Sequence, residues 1–251
     1  MLPPEYLDNL PSPRLRALLA QAESDTLADM ARRLTTYDYY IPAAQWQRKK
    51  LQELGLLHDE ITKRLSKLTK LSEKEIDQML VDAGGEALKN DDAIYRKAGL
   101  DPPLITVSET LRKVLNSCAK QTRGTFRNIM ATTAKTATGQ FETALDRAWM
   151  QISTGAFDRN TAIRFAIKDL SRQGVGAIRY PTGHIDTLEV ATRRAIVTGA
   201  GQTAAKLQLA RAEEMGCDLV EVSAHGGARP EHAAWQGKIY SLSGNSEKYP
   251  P

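Results

Sequence analysis

The spacing of apolar residues predicts a mostly α-helical protein, with long helices in the N-terminal two-thirds followed by a small α+β C-terminal domain. Three observations carry that expectation. Apolar residues recur every three or four positions between Leu15 and Leu170, the period of a helix with one buried face. Strand-like alternation occurs only after Gly174, in short runs bounded by turn residues. Helix caps and breakers such as Ser12-Pro13 and Asp101-Pro102-Pro103 sit at the edges of the periodic segments.

Taken in order, Ser12 is an N-cap followed by proline at the first helical position, where a missing N–H costs nothing. Leu15, Leu18 and Leu19, then Leu27, Met30, Ala31 and Leu34, form the apolar face of this first helix. Tyr37, Tyr39, Tyr40 and Pro42 interrupt the pattern, so a second helix starts near Ala43, with Trp46, Lys50, Leu54, Leu57, Ile61, Leu65 and Leu68 on one stripe. Ser72 and Glu75 form a capping box, with Leu71 and Ile76 at the staple positions, which predicts a new helix from Ser72 that Gly84-Gly85 ends or weakens. After the Asp101-Pro102-Pro103 break, one helix is expected from Thr106 to about Thr133 and another from about Thr138 to Ile152, stopped by Thr154-Gly155. Asp158 caps a further helix that Gln173-Gly174 ends. Beyond it come a strand at Ala177–Tyr180, a turn at Pro181-Thr182-Gly183, and a long helix capped by Asp186 and running to about Met215. Gly199 and Gly201 inside that helix suggest close packing or a kink. Two more strands are expected at Asp218–Ser223 and Lys238–Leu242. The last residues, Tyr249-Pro250-Pro251, belong to no helix or strand, as expected of a C-terminal domain that is cut short.

Composition divides the chain into an N-terminal helical region over 1–100, a basic helical region over 101–174, and an α+β domain over 175–251. Hydrophobic residues make up 41% and charged residues 25%, ordinary for a folded chain that can bury a core without disulfides. The two cysteines, Cys118 and Cys217, stand far apart in no metal-type pair, which fits a reducing compartment. The N-terminus lacks a basic start followed by an apolar run, and no stretch approaches the ~18 apolar residues of a membrane helix, so synthesis in a cytoplasm without membrane contact is expected.

The net charge of +4 is a weak signal, but its distribution is uneven. From Leu111 to Phe141 there are six basic residues (Arg112, Lys113, Lys120, Arg123, Arg127 and Lys135) and no acid. From Arg159 to His184 there are five basic residues against the single acid Asp169. The first run reads as a contact for DNA phosphates or for an acidic partner, or more plainly as a solvated helix face. Phe126 and Phe141 fit a core rather than base stacking, so any nucleic-acid contact there is with the backbone and carries little sequence preference.

The densest polar cluster is Ser223–Lys238, between two expected strands, with two of the four histidines falling within eight residues. Three readings compete. His225 and His232 could ligate a metal, zinc being the usual choice, with a third ligand elsewhere, although a lone pair is weak evidence for such a site. His225, Arg229 and His232 could cleave a phosphodiester, the imidazoles as base and acid and Arg229 neutralising phosphate charge. The loop could instead be a structural latch, organised or made phosphate-binding by Arg229, Trp235 and Lys238, with Trp235 filling the core. No dinucleotide fingerprint, P-loop, G-x-S-x-G or H-E-x-x-H occurs.

The run Ala224-His225-Gly226-Gly227-Ala228-Arg229-Pro230-Glu231-His232-Ala233-Ala234-Trp235-Gln236-Gly237-Lys238-Ile239-Tyr240 resembles the C-terminal signature of the phage minor capsid protein 2 family. Ala31-Arg32-Arg33-Leu34, Trp46-Gln47, Leu51–Leu57 and Leu71–Ile76 are similar to the family's N-terminal pattern. The resemblance implies a non-enzymatic protein of a tailed-phage head. It would be carried in the virion at the capsid interior or portal vertex, after assembly in the host cytoplasm. Its implied partners are the portal protein, the major capsid protein and the backbone of packaged DNA, with several copies around the portal assisting assembly or DNA passage. It also implies a following cysteine- and histidine-bearing segment that this sequence lacks, which would leave His225 and His232 with half of a metal site.

Overall fold

A computed structural model describes residues 2–224, 226–227 and 229–251. It is predominantly helical: α1 (Pro4–Asp8), α2 (Pro13–Thr36), α3 (Ala43–Lys97), α4 (Glu109–Ser153), α5 (Arg159–Gln173), α6 (Leu188–Glu214) and α7 (Pro230–Ala233). The strands are short: β1 (Gly176–Arg179), β2 (Ile185–Thr187), β3 (Leu219–Glu221) and β4 (Ile239–Ser241). β1 pairs antiparallel with β2, and β3 with β4, as two separate two-stranded sheets.

Several boundaries follow directly from local chemistry. The Ser12 side chain accepts from the Leu15 N–H and caps α2, and Asp158 caps α5 by accepting from Thr161 N–H. Gly174, at φ +69°, ends α5 in a conformation that a side chain would strain. The Asp101–Pro103 break holds, and Ser108 then caps α4 through the Leu111 N–H.

Other expectations are corrected. Ser72 starts no helix: α3 runs unbroken for 55 residues, and the fully buried Ser72 hydroxyl donates to the Leu68 carbonyl one turn back. A capping box needs an extended N-cap residue, whereas buried Leu68 and Ile76 keep this stretch helical on one face. Glu75, its other half, faces Ser12 and Arg14 instead. Gly84-Gly85 does not end the helix either. A Cβ at Gly84 would lie 2.4 Å from Leu207 Cδ1, so this glycine lets α3 and α6 approach closely.

The two helices expected between Thr106 and Ile152 are one, α4, of 45 residues. Its threonines do not break it, because Thr132, Thr133 and Thr138 donate back to the carbonyls of Asn128, Ile129 and Ala134. Asp186 does not cap α6; Thr187 does, its hydroxyl accepting from the Val190 N–H at 3.4 Å. A Cβ at Gly201 would meet nothing within 4 Å, so that glycine of α6 marks no close approach.

The chain forms two compact units. One comprises Leu10–Ile76 and Thr122–Val197. Its core includes Leu15, Leu19, Met30 and Leu34 of α2, Trp46, Leu57 and Ile61 of α3, and Phe126, Phe141 and Leu145 of α4. Trp46 stacks on Trp149 at 4.5 Å between centroids. The other comprises Met1–Asn9, Asp77–Gln121 and Thr198–Pro251. Its core gathers Leu88, Leu111, Leu207 and Ala210, flanked by Ile105, Val114 and Leu115.

Candidate functional site

The histidine-bearing loop joins β3 to β4. Arg229 is the N-cap residue of α7, and its carbonyl accepts the His232 and Ala233 N–H groups. His232 stacks on Trp235, with ring centroids 5.5 Å apart. Trp235 is 54% exposed, so it packs on the imidazole and fills no core. Lys238 takes part through its backbone, its carbonyl accepting from Val222 N–H. His225 lies outside the described residues, and so does Ala228. Among the described residues, no three His, Cys, Asp or Glu side chains gather at metal-binding distance. The hairpin beneath the loop is organised by Asp218, whose carboxylate accepts from Ser241 Oγ at 2.5 Å and from Ser243 N–H at 2.7 Å. The Ser241 hydroxyl, followed by Ser243, holds that carboxyl below the usual carboxylate range.

All six basic residues of the acid-free interval fall on α4. Arg112, Lys113, Lys120, Arg127 and Lys135 are exposed, and Arg123 is half-buried. The interval is acid-free in sequence but not in space. Arg127 pairs with Glu73 of α3, and Lys113 with Glu109 one turn back at 2.7 Å.

Three polar constellations were not singled out by sequence reasoning. The first crosses the β1–β2 turn. Asp186, 2% exposed, accepts from the Tyr180 hydroxyl at 2.8 Å and meets His184 Nε2 at 3.1 Å and Arg194 Nη1 at 2.7 Å. The Tyr180 hydrogen bond, helped by His184 and Arg194, keeps the Asp186 carboxyl low against the opposing effect of burial. The cover is thin, because His184 and Arg194 remain 68% and 59% exposed. The tyrosine ring also stacks on the imidazole at 5.9 Å. The sequence did hold a signal: His184 and Asp186 stand two residues apart at the entry to β2, the spacing that puts side chains on one face of an extended chain.

The second constellation is Arg211 on α6, with no exposed side-chain surface. Its Nη1 lies 2.7 Å from Glu214, its Nη2 donates to the Pro103 carbonyl at 2.5 Å, and its Nε lies 3.0 Å from Asp92 Oδ1, off the line of a hydrogen bond. Glu214 also accepts from Ser108 Oγ at 2.6 Å, so the guanidinium ties the 98–108 connector and the cap of α4 to α3 and α6. The third is Lys50, which the spacing had placed on the apolar stripe of α3. Its ammonium meets Glu142 and Asp146 at 3.1 and 3.0 Å and lies over the Trp46 ring. Burial lowers the Lys50 pKa, but the hydrogen bonds to Asp146 and Glu142 outweigh it and the net shift is upward.

These arrangements fasten elements together more than they enclose a substrate, and no described helix is long and apolar enough to cross a membrane. The sequence profile described as Phage minor capsid protein 2 matches residues 2–249, nearly the whole chain. No curated protein and no solved structure matches.

Proposed function

The chain belongs to the phage minor capsid protein 2 family, and from that premise we propose that it is a minor structural protein of a tailed-phage head, attached in several copies to the portal or the inner shell. A structural role in the phage, a place in the virion and contact with other head proteins follow from the family itself. Attachment at the portal vertex, and help in assembly or in packaging and ejecting DNA, are the finer steps of the proposal. The match across residues 2–249 is the observation that carries it. It is supported by helices of 55 and 45 residues that carry exposed lysines and arginines. In this reading the exposed cations of α4, from Arg112 to Lys135, face packaged DNA or an acidic neighbour. The Arg229–Lys238 loop stiffens the β3–β4 module.

The test is direct. Purified procapsids and virions are analysed by quantitative mass spectrometry, and the isolated chain is assayed for binding to the portal oligomer. The proposal expects a fixed number of copies per particle and a stable portal complex. Absence from both kinds of particle overturns it. Hydrolysis of DNA or RNA that disappears in a folded His232→Ala variant would replace it with an enzymatic role.

A further inference from the structure

We propose that the outward face of α5 is a docking surface for the phosphate backbone of double-stranded nucleic acid. This rests on the head-protein reading only in that packaged DNA is the duplex at hand.

The helix buries Ala162, Ile163, Ala166 and Leu170. At about 100° per residue, Arg164, Lys168 and Arg172 then fall on the centre of the opposite face, four residues and about 6 Å apart. All three are exposed. Like charges at this spacing repel one another along a helix, so the row fits a surface that meets external negative charge. Neither Arg164 nor Lys168 meets an acid among the described residues. Arg172 shares Asp169 with Arg147 of α4, at 3.4 and 2.6 Å, so one carboxylate answers two guanidiniums.

The charge continues on both flanks. On one side, Arg147, Asp169 and Arg179 line a shallow cavity of about 70 Å³ with Gln140 and Gln173. On the other, Arg159, Arg164 and Lys168 line an open groove with Thr35, Asn160, Ile163 and Ile167 and no acid. The nearby acids are already engaged. Glu23 accepts from the Val175 N–H, and Asp158 caps the helix. All these residues belong to the same compact unit.

A duplex fits this surface better than an acidic protein does. Along the ridge the cations are accompanied by the polar Asn160, Thr161 and Ser171, with the exposed Phe165 on its flank. The neighbouring Phe165 ring is packed edge-on against Phe157 at 5.3 Å and is not free to stack on a base. Contact is therefore with backbone phosphates and is indifferent to sequence. Over the roughly 12 Å from Arg164 to Arg172, a duplex presents about seven charges.

The test measures binding of the full chain to a fluorescent random-sequence duplex by anisotropy across a salt series. With Arg164, Lys168, Arg172 and Arg179 in contact, affinity falls by about 150-fold between 50 and 200 mM salt. The Arg164→Gln/Lys168→Gln variant keeps its helical content and thermal midpoint, binds more weakly, and loses only about 12-fold over the same range. A Lys63→Gln/Lys67→Gln variant, at exposed positions of α3, leaves the slope unchanged. The inference is overturned if the wild type ignores the duplex, if the α5 variant keeps the full slope, if the α3 variant alone flattens it, or if polyglutamate binds through Arg164 and Lys168 while the duplex does not. Each of those results leaves the head-protein proposal standing, because that rests on particle content.

Discussion

Removing the guanidinium of Arg211 should be among the costliest single changes in the protein. The side chain has no exposed surface, and two carboxylates and one carbonyl depend on it. In Arg211→Ala, Asp92 and Glu214, which are only 16% and 20% exposed beside the arginine, are left without their shared cation. Even with the arginine present, burial pushes the Asp92 carboxyl up against the opposing pull of Arg211. Breaking a buried pair from one side costs about 3–5 kcal/mol, mostly through the charge left behind. For a chain of this size that is a fall of roughly 6–20 °C in thermal midpoint. Circular dichroism melts and urea titrations of the purified variant measure it. Arg127→Ala serves as comparator, because its pairing with Glu73 is exposed and such pairs contribute about 0–1 kcal/mol. The triple change Arg211→Met, Asp92→Asn and Glu214→Gln removes the stranded charges together and should recover most of the loss. If Arg211→Ala costs no more than Arg127→Ala, the latch is not what holds the connector to α6.

Adjacent glycines of α3 should respond with opposite signs. Gly85→Ala meets open space and gains about 1 kcal/mol of helix propensity, whereas Gly84→Ala must displace the buried Leu207 methyl and loses stability, as urea midpoints will show. Ser12→Ala should cost about 1 kcal/mol as a lost N-cap, while Ser72→Ala should stay within about 0.5 kcal/mol, because Ser72 lies inside a continuous helix. The Tyr6 and Tyr37 phenols are each pushed up to about 12, chiefly by burial. Folding therefore favours their neutral forms, and this contribution is complete below pH 10 and lost as pH rises from 10 to about 12. Urea midpoints across that window should fall less steeply in Tyr37→Phe.

Much of the helical order was legible because its signals are local. Ser12-Pro13, Asp158 and Gly174 act on N–H groups and dihedrals within a turn of themselves. Ser72 and Gly84 misled for the complementary reason. What keeps α3 going through them is burial of Leu68 and Ile76 and the approach of Leu207, which is more than a hundred positions away from Gly84. Ionic latches were hidden in the same way. Lys50 meets its acids across more than ninety residues, and Arg211 finds Pro103 across more than a hundred. The excess of positive charge between Arg159 and His184 was visible as composition, but its alignment on α5 depends on which face Leu170 and Ala166 bury.

The borders between the compact units fall inside helices at three of their four crossings: between residues 76 and 77 in α3, 121 and 122 in α4, and 197 and 198 in α6. Ordinary domains are joined by flexible linkers that tolerate cutting and grafting. This protein has no such seam, so any truncation meant to isolate one unit severs a continuous rod of hydrogen bonds and strands half a helix without its core.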